Sequence, residues 1–155
     1  MTIKLKTLIK QLLISLGVGG LAALLTRGNM DLFETINKPS FSPPAILFPI
    51  VWTILYILMG ISAYMIAEDT SKEAVNARRL YAAQLFFNFF WSLIFFNGQW
   101  YLAAFIWLVV LWSLIFLWIL SLMKVKILAG ILQIPYLLWV TFAGWLNLAI
   151  WLLNR

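Results

Sequence analysis

Uncharged stretches of about 20 residues or more alternate along this chain with short polar or basic ones. A helix rises about 1.5 Å per residue, so roughly 20 apolar residues cross 30 Å of hydrocarbon with every backbone group satisfied internally. The first uncharged run, 11–26, follows Lys4, Lys6 and Lys10 and predicts a helix over 7–26. Residues 45–67 carry no charge and predict a second helix. The run 80–123 is too long for one span, and Asn97-Gly98-Gln99 offers a turn within it. Trp100 and Tyr101 then mark an interface, where aromatic side chains are enriched, giving helices over 80–96 and 101–122. Beyond the basic turn at 123–126, residues 127–153 form a fifth span, which Pro135 should kink by withholding a donor from the Ile131 carbonyl.

The connections add detail. The first run could pass for a signal peptide. Yet Ser15, Gly19 and Ala23 make a small-residue ridge suited to close helix contact, and no small-residue cleavage site precedes a soluble domain, so it reads as a retained helix. Residues 27–44 form the longest connection. Asp31 and Glu34 resemble a capping box, and Leu32, Phe33 and Ile36 would seat a short helix on the bundle. That segment is either an interfacial loop or a lid over a cavity. Pro39, Pro43 and Pro44 stiffen the entry to the second helix. There Trp52, Tyr56, Met59 and Ala63 share one face, as packing surface or as a ligand wall. Residues 68–79 read as a mixed-charge loop.

Composition closes the class: 155 residues, 65% hydrophobic and 10% charged, make an all-α membrane protein, one domain over 1–155 with five transmembrane helices. The net charge of +6 reflects topology, not a nucleic-acid patch, because the cations sit in loops and at the ends. Eight Lys and Arg fall on the side of the N-terminus and three on the other, which places the N-terminus in the cytoplasm of a multi-pass cell-membrane protein. In a eukaryote the membrane would be the mitochondrial outer one. No span holds an ionisable acid or base, so a charge-driven pump is disfavoured. The chain has neither His nor Cys, which removes His-ligated zinc or haem, a catalytic triad and any disulfide. Gln84, Asn88 and Ser92 lie four apart beside Trp91, and Tyr136, Trp139, Ala143 and Asn147 share a face of the fifth helix. These groups serve interhelical hydrogen bonding or line an apolar pocket with a few orienting amides. Nine tryptophans, more than two interfacial belts need, tilt the reading toward the pocket.

Four fragments in order resemble the translocator protein family, also called tryptophan-rich sensory or peripheral benzodiazepine receptor proteins (TSPO/MBR). They are Arg27-Gly28, the stretch KPSFSPP with its following W-x-x-L-Y-x-x-M-G, Gln84-Leu85-x-x-Asn88-x-x-Trp91, and Pro135-Tyr136-Leu137-x-Trp139 through Asn147. The resemblance covers nearly the whole chain and suggests a bacterial member. It implies a five-helix bundle, often a homodimer, whose first loop caps a cavity that binds protoporphyrin IX, haem, isoquinoline carboxamides and benzodiazepine-type drugs. It also implies light- and oxygen-dependent protoporphyrin breakdown in some members. Carried over by motif, the pocket uses Trp52, Asn88, Trp139, Ala143 and Leu146, with Pro43 and Pro44 at the lid hinge.

Two departures stand out. The cholesterol-recognition pattern at the end of the fifth helix lacks its central Tyr, so sterol binding is doubtful. Trp107 stands where relatives often have an acidic residue, adding an aromatic wall. With Tyr56 and Trp91 from the helix faces, these residues complete the expected ligand set, and Arg27 and Lys38 are the lid's cations. The leading expectation is a receptor for porphyrins and flat lipophilic drugs, with no metal and no required cofactor. Alternatives are a photo-oxidative enzyme using Trp52 and Trp139, in which the porphyrin is substrate, and a passive transporter or interaction scaffold without turnover.

Overall fold

Each apolar run, closed by polar, proline or basic residues, becomes one helical span. The computed structural model describes residues 4–155; residues 1–3 of the predicted domain lie outside them. The described residues form helices and no strand: α1 Leu5–Thr26, α2 Leu32–Thr35, α3 Leu47–Met65, α4 Lys72–Ser92, α5 Tyr101–Val125, α6 Ile127–Ile131 and α7 Ile134–Leu153. Five stretches, α6 and α7 counting as one, are long and apolar enough to cross a membrane.

The spans close into a ring in the order α1, α3, α6–α7, α5, α4 and back to α1. Side-chain bonds fix which connections share an end. Lys4 pairs with Glu68 and donates its backbone N–H to the Tyr64 hydroxyl, so the start of α1 meets the α3–α4 loop. At the opposite end Asn29 reaches Asn97, and Asn37 reaches Asn154.

Three departures from the sequence expectation have physical causes. α4 starts at Lys72, so most of the 68–79 loop is helix: Ser71 caps it by accepting from the Ala74 amide, and Glu73 sits in the first turn. Asp31 heads α2 without a side-chain cap bond, so the predicted capping box does not form. The fifth span breaks at Leu132 and Gln133, and Pro135 begins α7 at a position where its missing donor costs nothing.

α4 ends in a π-helical turn, Leu93–Asn97, and the chain reverses through Gly98 and Gln99. Gln99, not Gly98, takes the left-handed backbone, with φ 53°. Gly98 is required for space, since a Cβ there would lie 2.9 Å from the Ile94 carbonyl oxygen.

The ridge on α1 is used inside the chain. Ser15 is buried, the Gly19 position faces the Tyr56 ring, and a Cβ on Gly60 of α3 would come within 2.8 Å of Ser15 Oγ. A seam between two copies along Ser15 and Gly19 is therefore excluded by the fold.

Candidate functional site

The ring's interior is organised by uncharged polar side chains that the apolar spans cannot leave unpaired. From α3, the Tyr56 hydroxyl donates to Asn88 Oδ1 of α4 at 2.9 Å. Asn88 Nδ2 donates to the Tyr136 hydroxyl of α7 at 2.7 Å, and that hydroxyl donates to Gln84 Oε1 at 2.7 Å. Gln84 Nε2 reaches Met59 Sδ at 3.7 Å. One relay of bonds thus ties three helices together. A second link runs from Trp91 Nε1 to Asn147 Oδ1 at 3.2 Å, while Asn147 Nδ2 donates to the Tyr101 carbonyl at 2.7 Å.

Trp52 lies against this polar floor. Its ring is 5.7 Å from Tyr56, 6.3 Å from Trp91 and 6.1 Å from Tyr136, centroid to centroid. Beside it is a chamber of about 180 Å³ between α1, α3 and α4, walled by Trp52, Tyr56, Trp91 and Phe96, with Ala22 and Ala23 on the α1 side. No charged side chain lines it. Above lies a second cavity of about 110 Å³ that shares Met30, Phe48 and Phe96 with the chamber and is bordered by Asp31 and Glu34.

An aromatic cluster continues from Phe48 at one end of the chamber. Phe33 of α2 packs edge-on to Phe48 at 5.3 Å, Phe48 to Trp139 at 5.8 Å, and Trp139 lies 5.5 Å from Phe142. Lys38 Nζ sits 4.7 Å over the Phe33 ring, a cation–π contact that pins the loop from outside. The Trp139 indole N–H is buried with no hydrogen-bond partner, as is the Ser42 hydroxyl in the loop.

Of the residues expected at the site, Trp52, Tyr56 and Trp91 line the chamber, and Asn88 stands directly behind Tyr56. Trp139 belongs to the aromatic cluster at Phe48. Ala143 and Leu146 are buried on α7 without bordering the chamber. Trp107 is not brought to it either: its ring stacks on Phe87 at 4.3 Å and its indole donates to the Phe87 carbonyl at 2.7 Å, on the α4–α5 seam. Trp107 projects from α5 onto the α4–α5 seam, and no α5 residue borders the chamber. Pro43 and Pro44 precede α3, where the Pro44 carbonyl accepts from the Leu47 amide at 3.0 Å. Arg27 is exposed in the 3-10 turn after α1.

Sequence reasoning missed Phe48, Phe33, Phe96 and Met30. Phe48 had a signal: it stands four residues before Trp52 and extends the same stripe back one turn. Phe96 and Met30 reach the chamber only through the folding of two separate connections.

Chemically, the chamber offers aromatic plates with satisfied amides behind Tyr56, and among the described residues no Asp, Glu, Lys or Arg borders it. Its volume is below the ~300–1,000 Å³ usual for a ligand pocket. Phe48 and Phe96 border both this chamber and the cavity above it.

The sequence model of the TspO/MBR family matches residues 11–152. A tryptophan-rich protein TspO from Chlorobaculum tepidum is 44% identical over 102 residues, 64% of this chain and 65% of its own length. A tryptophan-rich sensory protein from Cereibacter sphaeroides is 34% identical over 100 residues, 64% of this chain and 62% of its own. The translocator protein of Bos taurus is 40% identical over 92 residues, covering 57% of this chain and 54% of that protein. The chain spans just under two thirds of the length of the first two relatives and about half of the third.

Proposed function

The chain belongs to the TspO/MBR family, and from that premise we propose that it is a membrane receptor for porphyrins and other flat lipophiles, bound in the chamber beside Trp52. The observation that carries this reading is the convergence of Trp52, Tyr56 and Trp91 on one uncharged cavity. Aromatic plates favour a flat conjugated guest by stacking, worth about 0.5–1.5 kcal/mol each beyond buried area. Protoporphyrin IX or haem fits this chemistry, with propionates directed to the mouth where Arg27 and Lys38 lie. Isoquinoline carboxamides and benzodiazepine-type drugs are flat enough to share it. The receptor is a homodimer in the cell membrane with its N-terminus in the cytoplasm, the side holding eight of the eleven Lys and Arg.

The test is competition. Protoporphyrin IX and an isoquinoline carboxamide should displace one another and quench tryptophan fluorescence, each with micromolar affinity, about −8 kcal/mol. Independent binding of the two would reject a shared chamber.

A second reading rests on the contacts of Trp52 with Tyr56 and Trp91, which make it a candidate electron donor. Light would excite bound protoporphyrin, the Trp52 indole would give it one electron and dioxygen would take that electron as superoxide. The oxidised indole would then recover an electron from the macrocycle, and the porphyrin radical cation so formed would combine with the superoxide, a net addition of one dioxygen to protoporphyrin. The protein's part is to hold donor and porphyrin together; light and oxygen supply the driving force.

A further inference from the structure

A larger cavity lies outside the chamber. It is a groove of about 530 Å³ on the outer surface between α1 and α4, with α3 as its floor. Ile14, Val18, Leu21, Leu85, Phe86 and Phe89 make its walls almost wholly apolar. From Ile14 to Leu21, and from Tyr81 to Phe89, it runs about 10–12 Å along the helices, most of the ~15 Å of hydrocarbon in one leaflet.

Its outer end is cationic. Arg78 lines the groove, and Lys6 and Lys10 border an open trough that shares Ile14 with it. One Arg78 nitrogen, Nη1, donates to the Ile66 and Asp69 carbonyls at 3.1 and 2.7 Å, which holds the guanidinium at the end of α3. Its remaining donors have no hydrogen bond among the described residues. Of the nearby acids, Glu68 pairs with Lys4, while Asp69 accepts from the Ser71 amide at 2.8 Å and feels the Arg78 charge. Deeper in the groove the Tyr81 hydroxyl is buried beside Ser15, which donates to the Gln11 and Leu12 carbonyls.

We infer that this groove is a binding site for an anionic phospholipid of the N-terminal-side leaflet, with an acyl chain between α1 and α4 and the phosphate against Arg78. The length matches one leaflet, and the cations lie at the interface end. A zwitterionic lipid would fill the apolar part equally well but gain less from the cations.

The test uses the full chain, stripped of lipid in a non-ionic detergent. It is titrated with phosphatidylglycerol or with phosphatidylcholine of the same acyl chains, and retained lipid is counted by native mass spectrometry. The wild type should retain phosphatidylglycerol at least about fivefold better, the contribution of one cation at a membrane surface. Arg78→Gln should abolish that preference and leave phosphatidylcholine counts unchanged. Ala82→Phe, which fills the groove and leaves Arg78 with its carbonyls, should lower both counts and decides the matter if Arg78→Gln does not fold. Equal retention in the wild type, a preference that survives Arg78→Gln, or unchanged counts in Ala82→Phe overturns the inference. So does a changed dimer fraction in Ala82→Phe without loss of lipid, which gives the groove to a second copy. One-for-one displacement of phosphatidylglycerol by protoporphyrin gives it to the porphyrin and overturns the inference as well.

Discussion

The Tyr136 hydroxyl accepts from Asn88 and donates to Gln84, so removing it leaves an amide donor and a carbonyl acceptor unpaired in a fully buried place. Such orphaned groups cost about 1–3 kcal/mol, and Tyr136→Phe should lower stability by that amount in detergent unfolding followed by circular dichroism. Trp107→Phe should cost under about 1 kcal/mol, because it removes one bond from a carbonyl that keeps its helical partner. A reversed order would show that the relay is not what holds α3, α4 and α7 together. Trp52 and Trp139 separate stacking from electron donation. Phe at either position keeps most of the ring contact, so protoporphyrin affinity should stay within roughly threefold, under 1 kcal/mol. The degradation rate under light should nevertheless fall at least about tenfold if the indole is the donor. A fall no larger than the loss of occupancy would leave both as binding plates. The sequence showed which side chains were polar and aromatic but not which helices would meet, and that arrangement puts Trp91 of α4 at the chamber and Trp107 of α5 on the α4–α5 seam.

The loop beside the chamber is held at its ends by asparagines. The Asn37 amide donates to Asn154 Oδ1 at 3.1 Å, and Asn154 Nδ2 returns a bond to the Asn37 carbonyl at 2.8 Å. At the other end, Asn29 donates to Asn97 at 2.8 Å and Asn97 to the Leu25 carbonyl at 3.1 Å. Two bonds of about 1 kcal/mol each tie the loop to α7, so Asn154→Ala should speed protoporphyrin release roughly tenfold in stopped-flow fluorescence, with binding at equilibrium weakened by less. An unchanged release rate would mean that Phe33 and Phe48 alone hold the loop in place. No spacing rule links residues 37 and 154, so this clasp was invisible in the sequence. The start of α4 was legible but misread. Ser71 is a ready N-cap, and Ala74, Ala77 and Tyr81 follow at helical spacing, all buried. The surrounding charges suggested a loop, yet they occupy the solvated turns of a helix whose apolar face begins at once.

Taken whole, two of the bundle's cavities are of opposite kind: an inner chamber of about 180 Å³ walled by aromatic rings, and an outer groove of about 530 Å³ between α1 and α4. The five spans and the family were legible because uncharged length and motif order are properties of the chain itself. The position of the cavities was not, since each is bounded by three helices brought together by the ring. The small-residue ridge of α1 illustrates the limit: its pattern announced close packing, but only the fold shows that Tyr56 and Gly60 are the partners. Porphyrin binding is assigned to the smaller cavity, on the strength of its aromatic wall. Ala23 on α1 borders that chamber, and Ala82 on α4 borders the groove. The most direct measurement is therefore a protoporphyrin titration, read by tryptophan quenching, of Ala23→Phe beside Ala82→Phe. Blocking the chamber should weaken binding at least about tenfold, or 1.4 kcal/mol, while blocking the groove should leave affinity unchanged. Loss of affinity in Ala82→Phe with full affinity in Ala23→Phe would contradict the assignment.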